Sequence, residues 1–241
     1  MFPCAVLLVA SGRAACFCTH ALRNAPSRLC SAVDGEGTKY GRRDYWDTLY
    51  STSPDSFSWY AGWSDIAPFW QMLVPDRSAR VLLPGVGNDE AMVDMYDAGW
   101  TSLTAFDYSE EAVACAARLF GDERLQNGVA LNVADAKKLP YAPGFDAALD
   151  KGTLDAVYLS GGRDAEDRMK NLQCAVNELG RVIRPGGVVL SVTGAAADHL
   201  PAAFTAQSDV WRVLWDGSPH ITEDGFASIN VDATLLAWER R

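Results

Sequence analysis

The chain has 241 residues, 49% hydrophobic and 22% charged, which is ordinary for one globular α/β domain with a sizeable core. A net charge of −10 and an isoelectric point near 4.7 argue against nucleic acid as a partner, because binding phosphates requires clustered Lys and Arg. The acidic surface suits a cationic substrate instead. No apolar run approaches the roughly 18 residues of a membrane span, so no membrane association is expected.

Residues 1–38 differ in composition from the rest of the chain. Residues 1–33 contain Arg13, Arg23 and Arg28 but no acid, so they carry +3 and the remainder carries −13, which is −10 minus +3. This pattern is typical of an organelle transit peptide; a secretory signal, a disordered extension and a wrongly chosen start codon are the alternatives. The predicted domain is residues 39–241. Its expected location is the chloroplast or mitochondrion if the leader is a transit peptide, and otherwise the cytoplasm.

Cysteine and histidine usage argues for an intracellular protein without a metal site. Four of the six cysteines lie in the leader, and Cys115 and Cys174 fall on apolar faces of predicted helices. Two isolated cysteines form neither a disulfide framework nor a zinc site. The three histidines are far apart and lack metal-ligand spacing.

Residues 39–75 are dense in aromatic side chains and show no strand pattern. Tyr45, Trp46 and Tyr50 have helical spacing, and so do Trp63 and Trp70. We predict a short helix, a turn near residues 53–55, and a second helix that ends before residue 75. This part either covers one face of a sheet or forms a lid whose aromatic edges close over a ligand, and the two interpretations are compatible.

A glycine turn follows the first predicted strand. Residues 81–83 are apolar, as expected for a buried parallel strand, and Gly85-Val86-Gly87 comes soon after them. Asn88 and Asp89 are good helix N-caps, and Gly99 is the predicted end of the helix. Strand, glycine turn and helix form the first half of a nucleotide-binding βαβ unit, in which glycines permit close approach of a ligand.

The residues after this turn bear on which ligand binds. A dinucleotide fingerprint requires a third glycine where Glu90 stands, and it places a pyrophosphate at the helix N-terminus. Asp89 and Glu90 satisfy the helix dipole themselves and would repel a phosphate. A ligand without phosphate suits the turn better, and S-adenosylmethionine, which carries a sulfonium cation, is the candidate. A tight turn with no ligand is the alternative.

Three later strands are predicted to end at polar residues. Asp107 ends the second strand, 22 positions past Gly85, where this topology places a carboxylate on ribose hydroxyls. Asp135 and Ala136 follow the third strand, 129–133, and could contact an adenine; alternatively, Asp135 caps a turn. The fourth strand, 145–149, runs into the polar residues 150–155, which face the crevice where ligands bind in open α/β sheets.

The remaining elements complete an α/β pattern. Ser109 is predicted to cap a helix that Gly121 ends, and a long helix begins near Asp164 and stops at Pro185-Gly186-Gly187. A fifth strand follows at 188–192, and residues 211–215 and 231–238 form a closing pair of strands. The pattern predicts an α/β domain with a mostly parallel sheet and helices on both of its faces.

These motifs resemble those of class I S-adenosylmethionine-dependent methyltransferases. More narrowly, the chain is similar to the branch that contains the dual methyltransferase of elongation factor 1A and its lysine-methylating relatives. The resemblance runs from about Tyr40 to the C-terminus, and Pro84, Val86 and Asp150 depart from the family pattern. The motifs that carry it are Tyr45-Trp46-Asp47 with Tyr50, Trp59-Tyr60, Gly85-Val86-Gly87-Asn88, Asp107-Tyr108-Ser109, Asp150-Lys151-Gly152-Thr153-Leu154-Asp155-Ala156 and Arg184-Pro185-Gly186-Gly187.

The resemblance implies a Rossmann-like fold, with a mostly parallel sheet of seven strands in three αβα layers. It also implies S-adenosylmethionine as the cofactor and a set of residues that contact it. Tyr108 would stack beside the adenosine, and Lys151 would lie by the cofactor at the end of the fourth strand. The implied contacts are Trp46, Tyr50, Trp59, Gly85, Gly87, Asp107, Tyr108, Asp135, Ala136 and Lys151.

The expected reaction is methyl transfer to an acceptor, and the resemblance and the acidic surface favour a lysine amine of a basic protein. Asp150 is the candidate catalytic residue that holds this amine, and Trp59, Tyr60 or Trp63 could surround its cationic product. A small-molecule methyltransferase and an inactive methyltransferase-like scaffold are alternatives. An NAD-dependent oxidoreductase on the same topology is another, and Glu90 counts against it.

Overall fold

The computed structural model describes residues 37–53, 56–217 and 233–241. The predicted leader up to residue 36, turn residues 54–55 and the start of the last predicted strand lie outside these ranges. The helices are a short 3₁₀ helix (Gly37–Gly41), α1 (Arg43–Thr52), α2 (Trp63–Leu73), α3 (Glu90–Asp97), α4 (Glu110–Gln126), α5 (Thr153–Leu159), α6 (Ala165–Val182) and α7 (Leu200–Thr205). The strands are β1 (Val81–Pro84), β2 (Leu103–Asp107), β3 (Val129–Val133), β4 (Phe145–Lys151), β5 (Ile183–Thr193), β6 (Trp211–Asp216) and β7 (Thr234–Arg240).

The seven strands form one sheet in the order β3-β2-β1-β4-β5-β7-β6. Strand β1 pairs in parallel with β2 and β4, so that Val81 lies opposite Leu103 on one side and Ala147 on the other. Strand β7 runs antiparallel to β5 and β6. The predicted fold class is confirmed. The strand order reverses between β1 and β4, and this switch point is where ligands bind in open α/β sheets.

Helices cover both faces of the sheet because its central strands are apolar on both sides. Val81 and Leu83 belong to a core with α2, α3 and α4, whereas Leu82 belongs to a second core with α5, α6 and α7. A fully buried Val or Leu side chain contributes about 1.5–3 kcal/mol relative to an exposed one. Among the described residues, no helix is both long enough and apolar enough to cross a bilayer.

Helices α1 and α2 confirm the two helices predicted in the aromatic segment, and they have different surroundings. Helix α2 buries Ile66 and Trp70 in the first core, where the rings of Trp63 and Trp70 meet Trp100 edge to face. Helix α1 packs against α4 and buries Tyr50. Helix α2 is therefore part of one helical layer, whereas α1 lies nearer the switch point.

Some local features differ from the predictions. Helices α5 and α7 were not predicted, because seven and six residues are too few to display a helical period. Gly121 kinks α4 at φ 71° without ending it, and the helix resumes as far as Gln126. Pro185 lies in a bulge within β5, between Ile183 and Val188, and not in a turn that precedes the strand.

Candidate active site

A cleft opens at the C-terminal ends of β1, β2 and β4, which is where ligands bind in open α/β sheets. Gly85, Asp107 and Asp135, which follow or end three successive strands, all line the cleft. Gly87 is the one predicted cofactor contact that does not. The predicted contacts that line it are Trp46, Tyr50, Trp59, Gly85, Asp107, Tyr108, Asp135, Ala136 and Lys151.

The two glycines of the turn after β1 lie directly against side chains from other parts of the protein. Gly85 and Gly87 have φ values of 58° and 53°, a region that favours glycine. A Cβ on Gly85 would lie 2.1 Å from the Thr153 hydroxyl, and a Cβ on Gly87 would lie 2.6 Å from the Tyr50 hydroxyl. The Thr153 hydroxyl donates to the Pro84 carbonyl at 2.8 Å. The sequence predicted close approach of a ligand, whereas the nearest neighbours at these positions are Thr153 and Tyr50.

Asp107 presents a buried carboxylate to the cleft. Its Oδ2 accepts a hydrogen bond from the Gly87 N–H at 3.2 Å, and its Oδ1 accepts one from the Ser109 N–H at 3.0 Å. Burial raises the pKa of Asp107 to about 6, although these hydrogen bonds oppose the change. Because a carboxylate offers about four acceptor positions, Asp107 keeps capacity for donors on a ligand.

Aromatic rings form one wall of the cleft. Trp46 stacks on Tyr50 with ring centroids 5.8 Å apart, and its Nε1–H donates to the Tyr40 carbonyl at 2.8 Å. The Trp59 ring meets Trp46 and Tyr40 edge to face, at 5.7 and 5.4 Å between centroids. These mutual contacts hold each ring in one orientation. Trp63, a predicted cage residue, instead packs in the first core.

Asp135 caps a turn, as one interpretation of its sequence position predicted, and it also lines the cleft. Its Oδ1 accepts from the Lys137 N–H at 2.8 Å, and its carbonyl accepts from the Lys138 N–H at 2.9 Å, so it caps a turn after β3. It is also exposed at the cleft, next to Ala136. The turn therefore fixes the carboxylate at the edge of the cleft.

Lys151 is buried, with 7% of its surface exposed, and is not a solvated charge. Its ammonium forms an ion pair with Asp89 and donates to the Trp59 carbonyl at 2.6 Å. Lys151 thus connects the end of β4 to the aromatic segment and to the start of α3.

The structure does not bring Asp150 to the cleft, which corrects its predicted position. Asp150 is fully buried, accepts from the Ser191 hydroxyl at 2.5 Å and accepts from the N–H groups of Thr153 and Leu154 at 3.0 Å each. Burial raises the pKa of Asp150 to about 7. Its carboxylate points inward because it caps the first turn of α5, a helix that the sequence pattern did not predict.

Asp155, in the first turn of α5, lines the cleft where Asp150 was expected. Its oxygens accept from the hydroxyls of Tyr60 at 2.8 Å and Thr193 at 2.7 Å, and from the N–H groups of Gly194 at 3.1 Å and Ala196 at 2.6 Å. The sequence pattern predicted no individual role for Asp155. A sequence signal was nevertheless present. Gly152 directly follows β4 and precedes a helix, in the same way that the glycine turn follows β1 and precedes α3.

The class of protein follows from three features: the order of the strands, the cleft at the switch point and its aromatic wall. Together they define a Rossmann-like α/β domain of the class I methyltransferase type. A family model described as "Methyltransferase domain" matches residues 76–234, and the chain belongs to this family of S-adenosylmethionine-dependent methyltransferases. Family membership decides against the oxidoreductase alternative.

Curated relatives share somewhat more than a quarter of their residues with this chain. It is 28% identical over 192 residues to EEF1A lysine methyltransferase 4 of Bos taurus, covering 76% of this chain and 72% of that protein. It is 28% identical over 166 residues to the eEF1A lysine and N-terminal methyltransferase of Homo sapiens, covering 68% of this chain but 23% of that protein. The second relative is therefore matched over less than a quarter of its length.

A solved structure has the same fold. The N-methyltransferase NodS from Bradyrhizobium japonicum, in complex with S-adenosyl-L-homocysteine, superposes with a TM-score of 0.53. It is 14% identical, and the match covers 73% of this chain and 85% of that one. At this identity, the similarity extends to the fold alone.

Proposed function

We propose that this methyltransferase modifies a lysine amine of a basic protein, using the cleft at the switch point as its active site. The observation that carries the proposal is the convergence of Gly85, Asp107 and Asp135 on one aromatic-walled cleft. The names of the curated relatives, which refer to lysine methylation of eEF1A, support a protein acceptor. The net charge of −10 supports a basic one.

The residues of the cleft fit an adenosyl donor that lacks phosphate. In the described part of the chain, the Lys side chains lining the cleft are Lys137 and Lys151, and each has a carboxylate partner, Asp135 at 3.9 Å and Asp89 respectively. Because both lysines are already paired, the described lining of the cleft offers no cluster of unpaired basic side chains, which a phosphate group would require. Asp107 would accept from the ribose hydroxyls, and the aromatic wall would pack on the adenosine. When bound, S-adenosylmethionine supplies an activated methyl group on a sulfonium.

We place the methyl acceptor at the end of the cleft that Tyr60 and Asp155 line, called the acceptor end below. The sequence had predicted Asp150 for this role. The Tyr60 hydroxyl donates to Asp155, so its oxygen can accept a hydrogen bond from an amine. Burial and the neighbouring Asp155 raise the pKa of Tyr60 well above its ordinary value, so this hydroxyl stays neutral. Asp155 accepts four hydrogen bonds, one of them from Tyr60, and so orients the Tyr60 hydroxyl.

These residues mainly have to orient the acceptor toward the donor and to exclude water from the cleft. The acceptor lysine gives up a proton to water before it enters the site, so that its neutral amine has a lone pair to direct at the methyl group. The methylated nitrogen would leave as an ammonium cation. The ring faces of Trp59 and Tyr60 would stabilise the cationic product.

The test is to incubate the purified protein and methyl-labelled S-adenosylmethionine with a proteome and to identify the modified residue by mass spectrometry. We expect label on a lysine of a basic protein. Label confined to small molecules would overturn the protein acceptor, and donor binding without any transfer would identify an inactive scaffold.

A variant pair tests the acceptor end. Tyr60→Phe should lower kcat about tenfold while leaving donor affinity unchanged, because it removes one hydrogen bond to the amine. Tyr96→Phe is the matched control, since the Tyr96 hydroxyl donates to the Asn127 carbonyl at 3.1 Å away from the cleft. An unchanged kcat in Tyr60→Phe would remove Tyr60 from the acceptor site.

A further inference from the structure

Residues 56–61, defined here as the strap, are tied to the segment that follows the glycine turn. The Ser56 hydroxyl donates to the Glu90 carboxylate at 2.6 Å, and the Phe57 N–H donates to the Asn88 carbonyl at 3.1 Å. Further along the strap, the side chains of Trp59 and Tyr60 line the cleft. One end of the strap thus binds the start of α3, and the other end supplies part of the cleft wall.

Asp89 lies where the strap, α3 and β4 meet. Its Oδ1 accepts from the Ser58 hydroxyl at 2.8 Å and from the Ala91 N–H at 3.0 Å, which caps α3. Its Oδ2 forms the ion pair with Lys151, whose ammonium also donates to the Trp59 carbonyl. One carboxylate therefore contacts the strap directly through Ser58 and indirectly through Lys151.

This ion pair is shielded from solvent. The side chains of Lys151 and Asp89 are 2% and 10% exposed, so salt and water screen their attraction weakly. Removing one charge of a buried pair leaves the other without compensation, and the surrounding structure has to open or admit water. At this position, the part that would open is the strap, because its Trp59 carbonyl is bonded to the same ammonium.

Neither Asp89 nor Ser58 is among the residues that line the cleft, whereas Trp59, Tyr60 and Lys151 are. An effect of Asp89 on ligand binding must therefore pass through other residues. We propose that Asp89 is a positioning residue for the methyl donor, which holds the strap closed and so fixes Trp59 in the cleft wall. This inference rests on the proposed donor site and is independent of the acceptor.

The test uses Asp89→Asn in the full chain. Asparagine keeps an oxygen that can cap α3 but loses the charge that holds Lys151. We expect the Kd for S-adenosylmethionine, measured by calorimetry, to rise about tenfold, while kcat at saturating donor stays within about twofold. Hydrogen exchange of the strap amides in the donor-free protein should be about tenfold faster. Ser58→Ala should change both quantities in the same direction by about threefold, because it removes one hydrogen bond to Asp89 but leaves the ion pair with Lys151.

Asp164→Asn is the matched control. Asp164 caps α6 by accepting from the N–H groups of Glu166 at 2.8 Å and Asp167 at 3.1 Å, and it is exposed. The same substitution there should leave both the donor Kd and strap exchange unchanged.

Two results would overturn the inference. In the first, Asp89→Asn lowers Tm but leaves the donor Kd and strap exchange as in the wild type, which is the behaviour of a purely structural ion pair. In the second, kcat falls and the Kd does not change. Failure of the wild-type protein to bind S-adenosylmethionine would overturn the donor site itself, and this measurement distinguishes the two failures.

Discussion

At the scale of single residues, Tyr60 has an unusual backbone that the cleft requires. Its φ of 65° is the only positive value among the described non-glycine residues, and such conformations persist where surrounding contacts impose them. A Cβ on Gly152 would lie 3.2 Å from its ring, and a Cβ on Gly194 would lie 3.0 Å from its hydroxyl. Two glycines and Asp155 therefore hold the ring at the proposed acceptor end.

Gly85→Ala is expected to destabilise the fold and weaken donor binding. An alanine would have to adopt φ near 58°, and its Cβ would collide with the Thr153 hydroxyl, whose bond to Pro84 closes the end of β1. We expect a loss of about 2–4 kcal/mol in the free energy of unfolding, measured by urea denaturation.

Gly162→Ala is the control for this prediction. Gly162 has φ of 68°, but a Cβ added there would meet no atom within 4 Å, so it shares the backbone strain without the collision. Its expected loss is about 1 kcal/mol. Equal losses at Gly85 and Gly162 would show that the contact with Thr153 contributes nothing.

Asp150→Asn should stabilise the protein at alkaline pH. Because the pKa of Asp150 is raised from 3.8 to about 7, the folded state binds the proton more tightly than the unfolded state. Its contribution to the free energy of unfolding is therefore full below pH about 4 and is lost as pH rises to about 7. The variant carries no charge to bury, so at pH 8 it should exceed the wild type by at least about 1 kcal/mol.

Denaturation at several pH values checks this prediction, and the difference should shrink toward pH 5. A variant that is less stable than the wild type at pH 8 would contradict it, because the ionised carboxylate would then be favourable inside the fold.

At the scale of elements, α6 holds the loop that carries Asp135 and Ala136. The Leu139 N–H donates to the Glu178 carboxylate at 2.6 Å, and the Arg181 guanidinium donates to the carbonyls of Leu139 at 2.8 Å and Tyr141 at 2.6 Å. Arg181 also makes two hydrogen bonds to Glu178, at 2.9 and 2.7 Å. A planar guanidinium is needed to reach all of these acceptors together.

Arg181→Lys should therefore weaken donor binding with little effect on stability. Lysine keeps the charge but cannot hold both carbonyls and the carboxylate, so the loop becomes less fixed and the donor Kd should rise about threefold to tenfold. Arg212→Lys is the control, since Arg212 pairs with Glu239 at 2.5 Å on the exposed side of β6 and β7. Calorimetry that finds the same Kd in both variants would remove this role from Arg181.

At the scale of the whole molecule, the two cores and the charge have separate consequences. The cores on the two faces of the sheet bring the ends of β1, β2 and β4 to one edge, where the cleft lies. For the proposed basic acceptor, the net charge of −10 would act at longer range, because opposite charges attract before contact is made. Under this proposal, donor binding depends mainly on the cleft and acceptor encounter on the charge.

Salt should therefore affect the two substrates differently. We expect kcat/KM for a basic protein acceptor to fall about tenfold between about 50 mM and about 300 mM salt, while the donor Kd stays within about twofold. A short neutral peptide that carries the same lysine is the control, and its kcat/KM should respond weakly. Equal salt responses of protein and peptide would exclude a role for the acidic surface.

The sequence by itself determined the elements whose signals are local. Apolar runs ending at Gly85, Asp107 and Asp135 placed the strand ends, and short-range periodicity predicted α1, α2 and the long α6. These signals work because a strand or helix is specified by neighbours within a few positions. The alternation of these strands and helices also predicted a mostly parallel sheet with helices on both faces.

Only the tertiary structure decided which carboxylate faces the cleft and which residues hold it closed. Tyr60 and Asp155 are 95 positions apart, and Ser58 and Lys151 are 93 apart, so no local pattern couples them. Asp150 lies in β4 and Asp155 in the first turn of α5; both are buried, but of the two Asp155 alone lines the cleft. That choice depends on packing between distant elements, because a side chain's direction is set by the backbone around it and by the atoms already occupying the space.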